Sequence, residues 1–148
     1  MRTLSIRALL LSALFLTVGC AGGHAKPADA KSLYLRLGSL KGISAVIHQS
    51  LVRIAGDPRV KDYFAGADLQ KLEDHFIQLA CVGAGGPCKY EGRSMAESHE
   101  GLHITNAAFD AVLEDILFTM RKLKVHGVEQ DQVLSLLNSM RKDIVAIK

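Results

Sequence analysis

The sequence predicts an all-α protein with one domain, running from about residue 32 to the end. Apolar residues recur at helical spacing through nearly all of that region, and no apolar/polar alternation runs far enough to make a sheet. The segments are separated by capping residues and Gly/Pro breaks, with no internal repeat. About 117 residues are enough for one core and too few for two. With no Trp and only 5% aromatic residues, that core must be mainly aliphatic.

The elements follow in order. Ser32 is placed to cap a short helix through Leu33, Tyr34 and Leu37 that stops at Gly38. A second helix runs from about Gly42 to Ala55, with Ile43, Val46, Ile47, Leu51 and Ile54 on one broad face. Gly56-Asp57-Pro58 ends it, because proline lacks a donor and suits a first helical turn. Asp68 caps a third helix, Leu69 to Val82, whose apolar stripe is Leu69, Leu72, Phe76, Leu79 and Ala80. Gly83-Ala84-Gly85-Gly86-Pro87 breaks that helix and delivers a short segment carrying His99. Thr105 then caps a long helix through Phe109, Val112, Leu113, Ile116, Leu117, Met120 and Leu123. Gly127 punctuates it, and a last helix carries Val133, Leu136, Leu137, Met140 and Ile144.

Residues 1–19 read as a signal peptide. Arg2 and Arg7 form a positive region, and Ala8 to Val18 is an apolar run of about 11 residues, too short to span a bilayer. Gly19-Cys20 at its end resembles a bacterial lipoprotein signal, with Cys20 lipidated, although Thr17 stands where leucine is usual. Ordinary cleavage after Ala25 or Ala30 is the alternative. Residues 20–31 read as a tether. This region places the protein in the periplasm or cell envelope, with membrane attachment through Cys20. The two arginines account for two of the +3 formal charges, leaving about +1, and no Lys/Arg cluster remains that would suggest nucleic acid.

Cys81 and Cys88 remain as a pair. In an oxidising compartment they can close a small loop around the glycines, worth roughly 2–3 kcal/mol; two unpaired thiols are the alternative.

Of six histidines, His24 lies in the tether, His126 in a turn and His48 on a polar flank. His103, near a loop, reads as exposed, with contact to a cofactor edge as the alternative. His75 shares a face with Leu72 and Leu79, and His99 has Met95 four residues before it and Leu102 three after. Either could be an ordinary boundary histidine. Together, on separate helical segments of a small aliphatic domain, they point to a planar ligand held between two imidazoles. A zinc site lacks close Cys/His spacing. No Ser/His/Asp set, carboxylate pair or phosphate-binding loop has a specific spacing.

From Ser32 to the end, about four fifths of the chain, the sequence resembles the group I truncated haemoglobins. The likeness lies in Ser32-Leu33-Tyr34-Leu35-Arg36-Leu37-Gly38, in Asp57-Pro58-Arg59-Val60 with Tyr63-Phe64-Ala65-Gly66, and in the Gly85–Gly92 loop. It continues in Gly101-Leu102, Ile104-Thr105 and Phe109-Asp110-Ala111-Val112. The resemblance implies a truncated globin: a two-over-two helical sandwich, over residues 32–148, enclosing haem b (iron protoporphyrin IX). It implies that His99 is the proximal iron ligand, that Phe64 packs on the porphyrin face, and that Met95 lines the proximal wall. It also implies a cofactor site that includes Leu72, His75, Phe76 and Tyr90, with Lys89 and Arg93 near the haem edge and propionates. A neutral imidazole bound to iron needs an acceptor for its other nitrogen, and a backbone carbonyl of the preceding turn can supply it.

Three departures bear on chemistry. Leu51 stands where the family usually has a tyrosine, Phe76 where it often has a glutamine, and Ser39 where it has a glycine. Two donors that would hold a polar diatomic ligand are therefore absent, each worth about 1–3 kcal/mol in a buried site. His75 has three readings: a second metal ligand, a swinging hydrogen-bond donor, or an edge residue.

The function implied is binding of a diatomic gas (O₂, NO or CO), with NO dioxygenase or peroxidase-like turnover dependent on an external reductase. A bis-histidyl electron-transfer or redox-sensing haem protein is the alternative. A haem-free helical lipoprotein acting as an interaction module is the third.

Overall fold

The computed structural model describes residues 32–146, and the signal peptide, the tether with Cys20 and His24, and the last two residues lie outside the described residues. Among the described residues seven α-helices follow one another: α1 Leu33–Arg36, α2 Ser39–Gly56, α3 Leu69–Gly83, α4 Met95–His99, α5 Asn106–Lys122, α6 Gly127–Ser139 and α7 Arg141–Ile144. A single 3-10 turn, Lys61–Phe64, lies between α2 and α3, and no strand occurs among the described residues. The all-α expectation holds.

Two helix pairs, α2 with α3 and α5 with α6, build the layers, and α2 joins them by packing on α5 as well as on α3. Val46 and Ile54 of α2 meet Ala108, Phe109, Ala111, Leu113, Ile116 and Met120 of α5, with Val60 and Ile104 at the ends. This core is almost wholly aliphatic, as the composition requires. Each of its Val, Leu, Ile, Phe and Met side chains contributes about 1.5–3 kcal/mol on full burial. A second, smaller core sits at the far end of α3, where Ile43, Cys81 and Ala84 pack with Leu33, Tyr34, Leu37 and Ile47.

The capping chemistry is mostly as read. Asp68 accepts from the Lys71 N–H at 3.1 Å, and Thr105 Oγ1 accepts from the Ala108 N–H at 3.1 Å. Ser32 occupies the N-cap of α1, but its hydroxyl makes no cap bond and is buried without a hydrogen-bond partner among the described residues. α2 begins three residues before Gly42 because the turn is made by two consecutive left-handed residues, Gly38 at φ 84° and Ser39 at φ 60°. A serine in that region carries strain of about 1–2 kcal/mol that glycine avoids.

The last helix also differs from expectation. It starts at Gly127 and breaks at Met140. Asn138 Nδ2 donates to the Leu134 carbonyl at 3.0 Å and Ser139 Oγ to the Leu136 carbonyl at 2.6 Å, so side chains compete for helix carbonyls there. Arg141 then turns α7 toward α5, donating to Asn106 Oδ1 at 3.0 Å and Asp110 Oδ1 at 2.5 Å.

Candidate functional site

α3 has the composition of a core helix, yet Cys81 is its sole fully buried residue. Leu72, His75, Phe76, Ile77 and Leu79 are only half-buried, and Leu69 drops out of the expected stripe at 46% exposure. Phe64, on the 3-10 turn, packs at the margin of the main core, and Met95 and His99 on α4 are half-buried too. The described residues thus leave a line of large apolar side chains incompletely covered, which is the lining a flat apolar cofactor requires.

His99 is held by a short, deliberate element. Ser94 and Glu97 form a capping box: Ser94 Oγ accepts from the Glu97 N–H at 3.3 Å, and Glu97 Oε2 accepts from the Ser94 N–H at 3.0 Å. The hydrogen bond from Ser94 keeps the Glu97 carboxyl below the usual carboxylate range. This fixes Met95 at the start of α4, and the Met95 carbonyl lies 2.7 Å from His99 Nδ1. A carbonyl can only accept, so Nδ1 carries a proton, and in the neutral imidazole that leaves the lone pair on Nε2. Nε2 makes no hydrogen bond among the described residues. That tautomer and orientation are what a haem iron asks of an axial imidazole.

The remaining site residues fall on α3 and on the loop before α4. His75, three residues from Leu72 and one from Phe76, packs edge to face with Tyr90, the ring centroids 6.3 Å apart at 74°. The Tyr90 hydroxyl donates to the Arg93 carbonyl at 2.8 Å, and Lys89 pairs with Glu91 at 3.0 Å, both exposed. Cys81 and Cys88 are disulfide-bonded with Cα atoms 5.9 Å apart, closing the alternative of two free thiols. Leu51 is buried at 6% exposure on α2. His103 is exposed in a left-handed turn at φ 51°, His126 is exposed at the start of α6, and His48 is exposed with Nδ1 3.2 Å from Glu73.

A second polar feature escaped the sequence reading. Arg53, Gly56, Asp57, Pro58, Arg59 and Asp115 line a cleft of about 320 Å³. Asp115 is fully buried and accepts from Arg53 Nε at 2.5 Å, while Arg53 also lies 4.0 Å above the Phe118 ring. Burial pushes the Asp115 carboxyl up, against the pull of Arg53. Arg59 donates to Asp57 at 2.7 Å and to Glu114 at 2.6 Å, and it holds the Asp57 carboxyl down at about 2. These groups join α2 to α5, and Asp115 Oδ2 stays buried without a hydrogen-bond partner among the described residues. Among the described residues no cluster of His, Cys, Asp and Glu is placed to hold a bare metal ion.

A helical sandwich with an uncovered apolar lining and one oriented imidazole is the architecture of a globin. The chain belongs to the bacterial-like globin family, whose family model matches residues 32–146. It is 34% identical over 106 residues to a group 1 truncated hemoglobin of Synechocystis sp., covering 69% of this chain and 83% of that one. It is 26% identical over 115 residues to the group 1 truncated hemoglobin of Tetrahymena pyriformis, covering 78% and 95% respectively. The crystal structure of that Tetrahymena pyriformis protein in its Fe(III) form superposes with a TM-score of 0.75 over 78% of this chain and 98% of that one. The two-over-two expectation holds, and family membership implies a haem cofactor.

Proposed function

We propose that this chain is a b-type haem protein in which His99 binds the iron on one side and a diatomic gas binds on the other. The observation that carries this is the hydrogen bond from His99 Nδ1–H to the Met95 carbonyl at 2.7 Å, which leaves Nε2 as the nitrogen of the neutral ring that can bind iron. When bound, haem supplies an iron centre that takes a diatomic ligand and changes oxidation state. Phe64, Leu72, Phe76 and Met95 supply apolar walls that exclude water and hold the flat ring. Tyr90, with Lys89 and Arg93, belongs to its edge.

Leu51 and Phe76 present no donor to a bound gas, so a polar ligand is held less firmly than tyrosine and glutamine would hold it. Turnover fits this better than storage: NO dioxygenation or peroxidase-like chemistry fed by an external reductase. The signal-like N-terminus supports a periplasmic or envelope location, with Cys20 as the anchor.

His75 favours a second reading, a bis-histidyl electron-transfer or redox-sensing protein. It is half-buried on the face of α3 that carries Leu72 and Leu79, and it makes no hydrogen bond among the described residues. Absorption spectra of the oxidised, reduced and CO-treated protein test the proposal. A Soret band that moves on CO addition is expected, and a sample without one after growth with ample haem contradicts it in favour of a haem-free module. Prompt CO binding supports gas binding at an open position; slow displacement supports His75 on iron.

A further inference from the structure

One face of α3 is tied to the loop before α4 at three positions spaced three residues apart. Cys81 is disulfide-bonded to Cys88. One turn earlier, Gln78 Oε1 accepts from the Glu91 N–H at 3.1 Å. One turn earlier again, the His75 and Tyr90 rings pack edge to face, their centroids 6.3 Å apart. Residues at this spacing share a helix face, and six residues of helix span about 9 Å. A covalent bond therefore holds one end of a short seam whose other end is an imidazole.

The loop side of this seam has little room to adjust. The Tyr90 hydroxyl donates to the Arg93 carbonyl at 2.8 Å, and the chain passes so close beneath the ring that a Cβ on Gly92 would lie 2.3 Å from the hydroxyl oxygen. The Gly86 N–H donates to the Cys81 carbonyl at 2.8 Å, and a Cβ there would lie 2.6 Å from Cys81 Sγ. Cys81 itself is part of the second core.

We propose that the Cys81–Cys88 disulfide and Tyr90 form a strut that fixes the His75 imidazole, so that the thiol–disulfide state of this pair sets how firmly His75 occupies the sixth position on iron. This rests on the reading of His75 as an iron ligand. Tyr90 acts as a positioning residue: its ring is the one ring contact of His75 among the described residues.

The partner is a dithiol reductant or the corresponding oxidant. Cys81 Sγ is out of reach, since Cys81 has no exposed surface, whereas Cys88 is half-buried. A reductant thiolate therefore attacks Cys88 Sγ, and the S–S bond breaks with Cys81 leaving as a thiolate that takes a proton. The reductant's second thiol attacks the mixed disulfide, releases Cys88 as a thiol and leaves the reductant as its own disulfide. Two electrons and two protons reach the protein. The loop is then tied to α3 by hydrogen bonds, among them Gly86 N–H to the Cys81 carbonyl and Glu91 N–H to Gln78, and by the ring contact, with no covalent bond between them.

The experiment uses the ferric, haem-loaded full chain before and after anaerobic treatment with a phosphine reductant, with liberated thiols counted. The readouts are the low-spin fraction in the absorption spectrum and the rate of cyanide association. Reduction is expected to lower the low-spin fraction and speed cyanide binding roughly three- to tenfold, the usual scale of coupling through packed elements. Tyr90→Leu, with both cysteines in place, should reproduce the effect, and Tyr90→Phe, which keeps the ring, should retain most of the low-spin fraction. Should the Cys81→Ala/Cys88→Ala protein fail to fold, the Tyr90 variants carry the same test. Thiols liberated, or Tyr90→Leu introduced, with spectrum and rate unchanged would overturn the strut, provided that His75→Ala does alter them. A His75→Ala protein identical to the parent removes the iron-ligand reading instead, and the strut with it.

Discussion

His99 and Met95 are linked across one turn of α4, the ring Nδ1–H donating to the carbonyl oxygen at 2.7 Å. The residue that begins this five-residue helix thus orients the residue that ends it. Such a helix cannot stand alone. Its capping box and its packing on α7 hold it, so the orientation of the His99 ring depends on Ser94, Glu97 and α7 as well as on Met95.

His75→Ala separates gas binding from bis-histidyl chemistry. If His75 sits on iron, the ferric protein changes from low-spin to high-spin in its absorption spectrum while haem binding stays intact. An unchanged spectrum rejects iron coordination by His75.

Ser94→Ala removes half of the capping box and loosens Met95. Haem transfer to an excess of an apo-globin acceptor should speed up about fivefold, the scale of losing one cap. The effect has a pH signature. Glu97 is held below its ordinary value of 4.5 mainly by its hydrogen bond from Ser94. Its contribution is present above that value and is lost as pH falls through the lowered folded pKa, so parent and variant converge in acid.

Arg53→Ala leaves Asp115 buried beside Asp57 without its cation. Burial already raises the Asp115 carboxyl above its ordinary 3.8, and losing Arg53 raises it further. The folded state then holds a proton that the unfolded chain releases, so the penalty is absent below the ordinary value and full above the raised one. Denaturant unfolding should show a loss of about 1–3 kcal/mol at neutral pH that shrinks on acidification. Because Arg53 is partly exposed, the lower half of that range is expected.

What could be read from the sequence was what is local along the chain. The caps at Asp68 and Thr105, the Gly-rich break, the pairing partners Cys81 and Cys88 and the carbonyl behind His99 all lie within a few residues of their signals. Serine itself gives no sign of the left-handed conformation of Ser39; the one hint was the glycine that the resembled family has at that position. The break at Met140 depends on Asn138 and Ser139 side chains choosing helix carbonyls over water. Arg53 and Asp115 are 62 residues apart and meet only once α2 lies on α5. The seam from His75 to Tyr90 crosses an irregular loop that no periodicity describes.

The most direct test of His99 as the iron ligand is its replacement by glycine, followed by addition of free imidazole. His99→Gly should lose haem on gel filtration, and millimolar imidazole should restore retention and the parent's reduced and CO-bound absorption spectra. Haem retained by His99→Gly with those spectra unchanged in the absence of imidazole would contradict the assignment.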